Sequence, residues 1–528
     1  MTIKFNTFDY DLIENYFLKN ISENDFWLFA SDSSDEQDFT TKNAKSDARN
    51  FLEKTLFGIK YSIEDFAFMV PFIFWAPNTV YTQYDDSKIL KGTNFYIVIR
   101  PENESGNYHI FKCISNNNSN ISEEPPVFNS SIENGLYYLS DGYIWKYMTS
   151  VPGSLFRKFF ARSLLPIVRN ADVEAIASEG IYNIVVENRT ENSGYERITG
   201  DVSAIDLQNG ITRIFLKNLF SLTANEIPVF EVPNIYVNRA IYIEKSTSSP
   251  EISAIELRIR DSGVFNGLPF VSVSTPNDFN ISVNDRIEIL PRVVIEGNGS
   301  GASAISIFDN QNQRINSIRM LSFGEDYTAA VARIADPSGF DPLNVNRQDV
   351  QCMIRPILSP RGGHGYNVIE ELHSNHIGLS KLISPQGEVP TAGFYRKIGV
   401  VKNPSFGVDS NTTFEDTTFD NRIEIDLVSI PGTINVGDEI TQGDNVRGKV
   451  HEIDSSSNTL FIAEYNGPYD DIFVSNEPIR FQNVNYDINS IKYSPYVERT
   501  GSVLVVIDIT PIERTPDNSE QIKIILDF

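Results

Sequence analysis

At 528 residues the chain is longer than one hydrophobic core usually organises, so length alone predicts roughly two to four domains. Seventy acidic against 44 basic residues give a net charge of −26, which repels phosphate backbones and argues against nucleic-acid binding. The densest basic piece, RKFFARSLLPIVR with Arg157, Lys158, Arg162 and Arg169, reads as a solvated face. Thirty-five Phe and 23 Tyr against five Met favour sheets over helical bundles, and the only cysteines, Cys113 and Cys352, are too few for a disulfide scaffold.

The opening MTIKFNTFDYDLIENYF carries acidic residues where a signal peptide needs a basic region before an apolar core. The longest apolar run, Phe66 to Ala76, is too short to span a bilayer and contains Pro71. Together they predict a soluble product of the cytoplasm. DYDLIENYFLKNI predicts a short amphipathic helix with Leu12, Ile13, Tyr16, Phe17 and Ile21 on one face. FWLFA, Phe26 to Ala30, predicts a buried strand, followed by the acidic loop SDSSDEQD. A second helix is expected over Lys45 to Leu56, striped by Ala48, Phe51, Leu52 and Leu56, before YSIEDFAFMVPFIFWAPNTVYTQYDD returns to β character.

Asn94 to Met148 holds three runs, NFYIVIR, YHIFKCI and YIWKYM, rich in aromatic and β-branched residues and bounded by Asn, Gly, Ser or Pro. They predict an antiparallel meander, with Tyr143, Trp145 and Tyr147 on one face of the last strand and Ile144 and Lys146 on the other. No nucleophile, base or metal cluster lies inside it. After Pro166 the chain alternates apolar and polar residues between Asn, Gly, Ser and Pro turns, which predicts a β-rich insertion. Val293 to Ile334 reads as a Gly-rich hairpin unit, with a fainter copy at Ile181 to Ile198. Residues 422 to 481 read as a small closed barrel of the SH3 or OB type, and SVLVVIDITPI and QIKIILDF as terminal strands that pair with something earlier. The expected organisation is mainly β, with antiparallel sheets, small barrels and a few short helices: a core at 1–168, an insertion at 169–355, a core segment at 356–421, the barrel at 422–481 and closing strands at 482–528 that rejoin the meander's core.

Three constellations invite chemistry. GNGSG, Gly297 to Gly301, lacks the helix that nucleotide-binding glycine loops require, because ASAISIF follows as a strand; a hairpin turn is the better reading. RGGHGYNVIEELHSNH, Arg361 to His376, holds three of the five histidines. A metal site there would use His373 and His376 with Glu370 or His364, but an i,i+3 pair alone does not close a tetrahedral shell. The preferred reading is a tight turn at Gly362, Gly363 and Gly365, then a short helix capped through Asn367 and Glu370. Carboxylate clusters such as Tyr84-Asp85-Asp86 and Tyr469-Asp470-Asp471 read as solvated turns rather than as a glycosidase pair. No catalytic residue, cofactor or metal is expected.

Several segments, in order, resemble a known family: FWLFASDSSD, MVPFIFWAPNTVYTQYDD, NFYIVIR, YHIFKCISN, SDGYIWKYM, SPRGGHGYNVIEEL and the terminal QIKIILDF are similar to stretches of the baseplate wedge subunit of T4-like contractile phage tails. The resemblance covers about 26–152, 359–372 and 500–528. The intervening regions look like the enlarged forms of marine and cyanobacterial myophages, and Phe72, Ile73 and Phe74 stand where the family more often carries charges. The resemblance implies a non-enzymatic, mainly β homodimer in the virion tail baseplate, made in the host cytoplasm. It would bind neighbouring wedge proteins and short tail-fibre-type proteins, without nucleic acid or membrane insertion. Its motifs put forward Trp145, Tyr143, Tyr147, Gly363, His364, Gly365, Trp75 and Tyr84 as structural or assembly residues. The alternative is a carbohydrate-binding or glycan-depolymerising tail protein, marked by aromatics exposed in a groove beside two carboxylates.

Overall fold

The computed structural model describes residues 19–31, 44–130, 135–161, 163–193, 195–208, 210–221, 228–245, 254–274, 280–309, 314–335, 351–383, 393–407, 416–466, 472–514 and 519–527. Strands dominate, all the named pairs are antiparallel, and the helices are short. The chain divides into two compact units. One comprises Met1–Met69, Lys158–Ala161 and Asn375–Phe528; the other comprises Val70–Arg157 and Arg162–Ser374. This division crosses the sequence-based boundaries, since residues 1–168 contribute to both units.

In the first unit, Phe26–Ser31 is buried at every position. A strand apolar on both faces must lie between two cores, and this one does: Leu28 and Ala30 face a core with Tyr395, Val400, Ile377 and Ile524, while Trp27 and Phe29 face another with Phe51, Phe419 and Tyr496. It sits third in a five-stranded sheet ordered Thr418–Asp420, Thr55–Lys60, Phe26–Ser31, Gly393–Lys402, Ser502–Arg514. The expected helix over Lys45 to Leu56 is shorter, Ala44–Glu53, and Leu56 belongs to the strand Thr55–Lys60. Two-sided pairing of that strand, with Phe26–Ser31 and with Thr418–Asp420, outweighs the helical spacing of Leu56. The strand His376–Ile383 pairs with residues 66–69 on one side and with Glu520–Asp527 on the other, and these strands share the first core. Most of the helix expected over Asp9 to Ile21 lies outside the described residues, of which 19–23 are helical.

Residues 422–481 do not form a closed barrel. They belong to a seven-stranded sheet ordered Val484–Tyr486, Ile479–Phe481, Glu439–Gln442, Val446–Asp454, Thr459–Asn466, Ile423–Leu427, Ile488–Lys492. The tight turn at Gln482 and Asn483, both at positive φ, folds Val484–Tyr486 back on Ile479–Phe481 and prolongs the sheet instead of closing it.

The closed barrel lies in the second unit. Its six strands run around as Ile198–Gln208, Ile211–Ser221, Leu268–Val273, Ala254–Phe265, Ala240–Glu244 and Arg286–Leu290. Val202, Ile214, Leu216, Ile241, Ile243, Ile259, Val271, Val273, Ile287 and Ile289 fill its interior, as a small barrel requires. The proposed repeat does not hold. Ile181–Val186 pairs with Ile354–Leu358, whereas Val293–Gly297 pairs with Ala330–Ile334 and Ser300–Asp309 with Arg314–Glu325. The glycines of 297–301 therefore link two different sheets rather than turn a hairpin. The meander is present, as Tyr96–Ile99, Asn107–Asn116 and Tyr143–Pro152 side by side, with Leu136–Tyr138 added beyond the last strand. The terminal strands do not rejoin its sheet; their partners are Gly393–Lys402 and His376–Ile383.

Candidate functional site

The meander register sets Lys112 opposite Lys146 and Cys113 opposite Trp145. Neighbouring residues of a strand point to opposite faces, so the sheet carries an aromatic layer on one side and a charged layer on the other.

The aromatic layer gathers Tyr81, Phe111, Cys113, Tyr137, Tyr143, Trp145 and Tyr147, with Trp75 packed against them. Trp145 is fully buried, stacked on Tyr143 at 5.6 Å and edge-on to Tyr81 at 5.4 Å. Its indole N–H has no hydrogen-bond partner. The neighbouring phenols are satisfied by backbone: Tyr143 donates to the carbonyl of Asn120 (2.6 Å) and Tyr137 to that of Asn129 (3.0 Å). Trp75 Nε1 donates to Ser122 Oγ at 3.1 Å. These contacts fasten the loops that connect the strands.

On the other face lies a buried ionic cluster. Lys112 Nζ donates to Glu371 Oε2 at 2.7 Å and to His364 Nδ1 at 3.1 Å, and Gly365 N–H donates to Glu371 Oε1 at 2.7 Å. The side chains of Lys112, Glu371 and His364 are 0%, 3% and 1% exposed. Aromatic rings close the cluster: Lys112 Nζ lies 3.9 Å from the ring centre of Tyr84, and Tyr84 and Tyr182 meet the His364 ring edge-on at 4.8 and 4.7 Å.

The GGHG turn makes this possible. Gly363 and Gly365 both sit at φ 94°, and a Cβ on Gly363 would fall 2.4 Å from the Ser178 backbone, so no other residue fits. The turn delivers His364 and the Gly365 N–H. The helix Val368–Glu371, whose N-cap Asn367 accepts from Glu370 N–H, then delivers Glu371.

Burial and the Lys112 charge push His364 down to about 3, so the imidazole is neutral. Nδ1 therefore accepts from the ammonium and Nε2 carries the proton. Burial opposes ionisation of Glu371, but the Lys112 charge and its hydrogen bond outweigh it and hold the carboxyl at about 2. Lys112 is pushed down by burial, which Glu371 offsets in part. Lys146 is pushed down to about 8 by burial, with Lys112 adding to the shift and Glu371 opposing it. Burial, then Glu371, drives the Tyr84 phenol up.

Next to Tyr84, Asp85 is 1% exposed and takes a two-pronged contact from Arg355, whose Nη1 and Nη2 stand 3.1 and 2.8 Å from its oxygens. Burial works against ionisation here too, yet Arg355 holds the carboxyl well below the usual range. Asp85 is therefore a buried carboxylate paired with the partly exposed Arg355 rather than part of a solvated turn. Tyr469-Asp470-Asp471 lies outside the described residues.

Seven of the eight residues put forward from the sequence fall on the two faces of this one sheet or against them, and Gly363 packs against the Ser178 backbone. Lys112, Lys146, Glu371 and Arg355 were missed. The available signal was a lysine in the middle of each aromatic strand, FKC and WKY, because a lysine that cannot reach water demands a carboxylate. His364 is engaged by Lys112, His373 lies at φ 55° against Phe95, and His376 contacts Asp527. Among the described residues no group of His, Cys, Asp and Glu is arranged to hold a metal, and no helix is long and apolar enough to cross a membrane.

No protein-family profile matches the chain, and no curated protein matches it. Among solved structures, the apo form of translation elongation factor SelB from Methanococcus maripaludis is 9% identical over 59% of this chain and 64% of that one. The chain thus spans a little under two thirds of that factor, and a TM-score of 0.12 leaves the likeness without weight.

Proposed function

We propose that the chain is a non-enzymatic structural subunit of the baseplate-wedge type, built to hold neighbouring subunits in a contractile tail. The observation that carries this reading is the internal use of its richest polar constellation. Lys112, His364 and Glu371 bond to one another and to the Gly365 backbone, buried beneath an aromatic sheet, where they fasten segments more than 250 residues apart in sequence. Such a cluster stiffens a scaffold and offers solvent no nucleophile, acid or base. The burial of Tyr143, Trp145 and Tyr147 favours this reading over a glycan-binding groove, which needs exposed rings. The resemblance of the meander and GGHG motifs to wedge subunits supplies the assembly context. The test is immunogold labelling of purified tails with antibodies against the chain. Label at the distal, baseplate end is expected; intact tails carrying no label there overturn the reading.

A further inference from the structure

The buried cluster holds its members as an amide-forming reaction needs them. Lys112 Nζ hydrogen-bonds Glu371 Oε2 at 2.7 Å, so an amine lies against a carboxyl group. The other carboxyl oxygen, Oε1, accepts from the Gly365 N–H at 2.7 Å, which is where negative charge gathers when a nitrogen attacks Cδ. His364 Nδ1 stands 3.1 Å from Nζ and 3.7 Å from Oε2, close to both the attacking and the leaving atom. The Tyr84 ring covers the ammonium, its centre 3.9 Å from Nζ. All three side chains are buried, so bulk water does not compete for the carboxyl.

Two physical arguments favour condensation here. Well-oriented groups within one molecule reach effective concentrations of roughly 10⁵–10⁸ M, far above anything free amines and carboxylates meet in water. Burying two full charges is also costly, and a neutral amide removes that cost. Burial already pushes Lys112 towards the neutral amine, the form that attacks. We infer that Lys112 and Glu371 form a modification site, at which Nζ and Cδ join in an internal amide cross-link with His364 as the proton carrier. One ammonium proton crosses the hydrogen bond to Oε2, leaving a neutral amine and a neutral carboxyl. Nζ attacks Cδ, and the Gly365 N–H steadies the charge on Oε1. His364 Nδ1 takes a second proton from Nζ and passes it to Oε2. The Cδ–Oε2 bond breaks and one water leaves, so the step needs no co-reactant. The ion pair described above is the state that precedes this bond. The cross-link ties together positions 259 residues apart. It goes beyond the assembly reading and does not depend on it.

The test is the intact mass of the purified full chain under denaturing conditions, followed by peptide mapping. The expected result is a mass one water below the sequence value and a branched peptide that joins Lys112 to Glu371. Lys112→Arg keeps a cation without the amine, and His364→Asn keeps an acceptor that carries no proton onward; both should retain the full mass. Mapping the wild type keeps the result independent of whether the variants fold. A folded wild-type chain at the full sequence mass, a water loss that maps to other residues, or one that persists in Lys112→Arg overturns the inference. None of these outcomes touches the tail-labelling result, so the two ideas fail separately.

Discussion

Lys112 and Lys146 face each other across adjacent buried strands and share Glu371 as the carboxylate of their cluster. Lys146 has a folded pKa of about 8 against an ordinary 10.5, so between those values the unfolded chain binds the extra proton and stability rises with pH. Below pH 8 the fold bears the cost of both cations. Lys146→Met should therefore stabilise the protein at pH 7, by roughly 1–3 kcal/mol, and flatten the rise between pH 8 and 10.5 in thermal melts taken across that range. Glu371→Gln does the reverse: with two buried lysines and no anion, a loss of about 3–5 kcal/mol is expected in urea titrations at pH 7. On the acid side, His364 binds a proton more readily unfolded (6.5) than folded (about 3), so stability falls as pH drops through that window. In the aromatic layer, Trp145→Ala should cost about 3–5 kcal/mol through the cavity it leaves. Trp145→Phe should cost clearly less, because the indole N–H it removes satisfies nothing; equal losses for the two variants would show that the N–H has a partner after all.

Elements whose nature is decided locally were legible in the sequence. Phe26–Ser31 and the three meander strands follow from apolar runs and turn residues, and the GGHG turn from its glycines. Elements decided by distant partners were not. The strand Ile181–Val186 resembles half a hairpin, yet its mate, Ile354–Leu358, lies across the whole insertion. The closed barrel escaped notice because closure depends on Ile198 meeting Ile289, a pairing that no local pattern announces. The same limit hid the ionic cluster: Lys112 is visible as an oddity, but Glu371 is 259 residues away. That barrel closure has its own consequence. Because the first and last barrel strands are neighbours, with Arg197 bound to Glu288 at 2.7 Å beside them, the segment's ends are already joined. A fragment spanning residues 195–292 should fold alone and melt cooperatively in calorimetry; a fragment without a transition would mean that the barrel depends on its surroundings.

For the whole molecule, the acidic balance of the chain limits indiscriminate association until a matched surface arrives. The route of the chain between its units adds a mechanical consequence. The backbone leaves the first unit after Met69 and re-enters it for good at Asn375, and Met69 is paired directly with His376. The exit and the return are thus stitched together by a ladder of strand hydrogen bonds. Tension applied between the two ends of the chain is borne by the sheets around Phe26–Ser31, Gly393–Lys402 and Glu520–Asp527, and it bypasses the barrel, the meander and the ionic cluster until the Met69–His376 stitch tears.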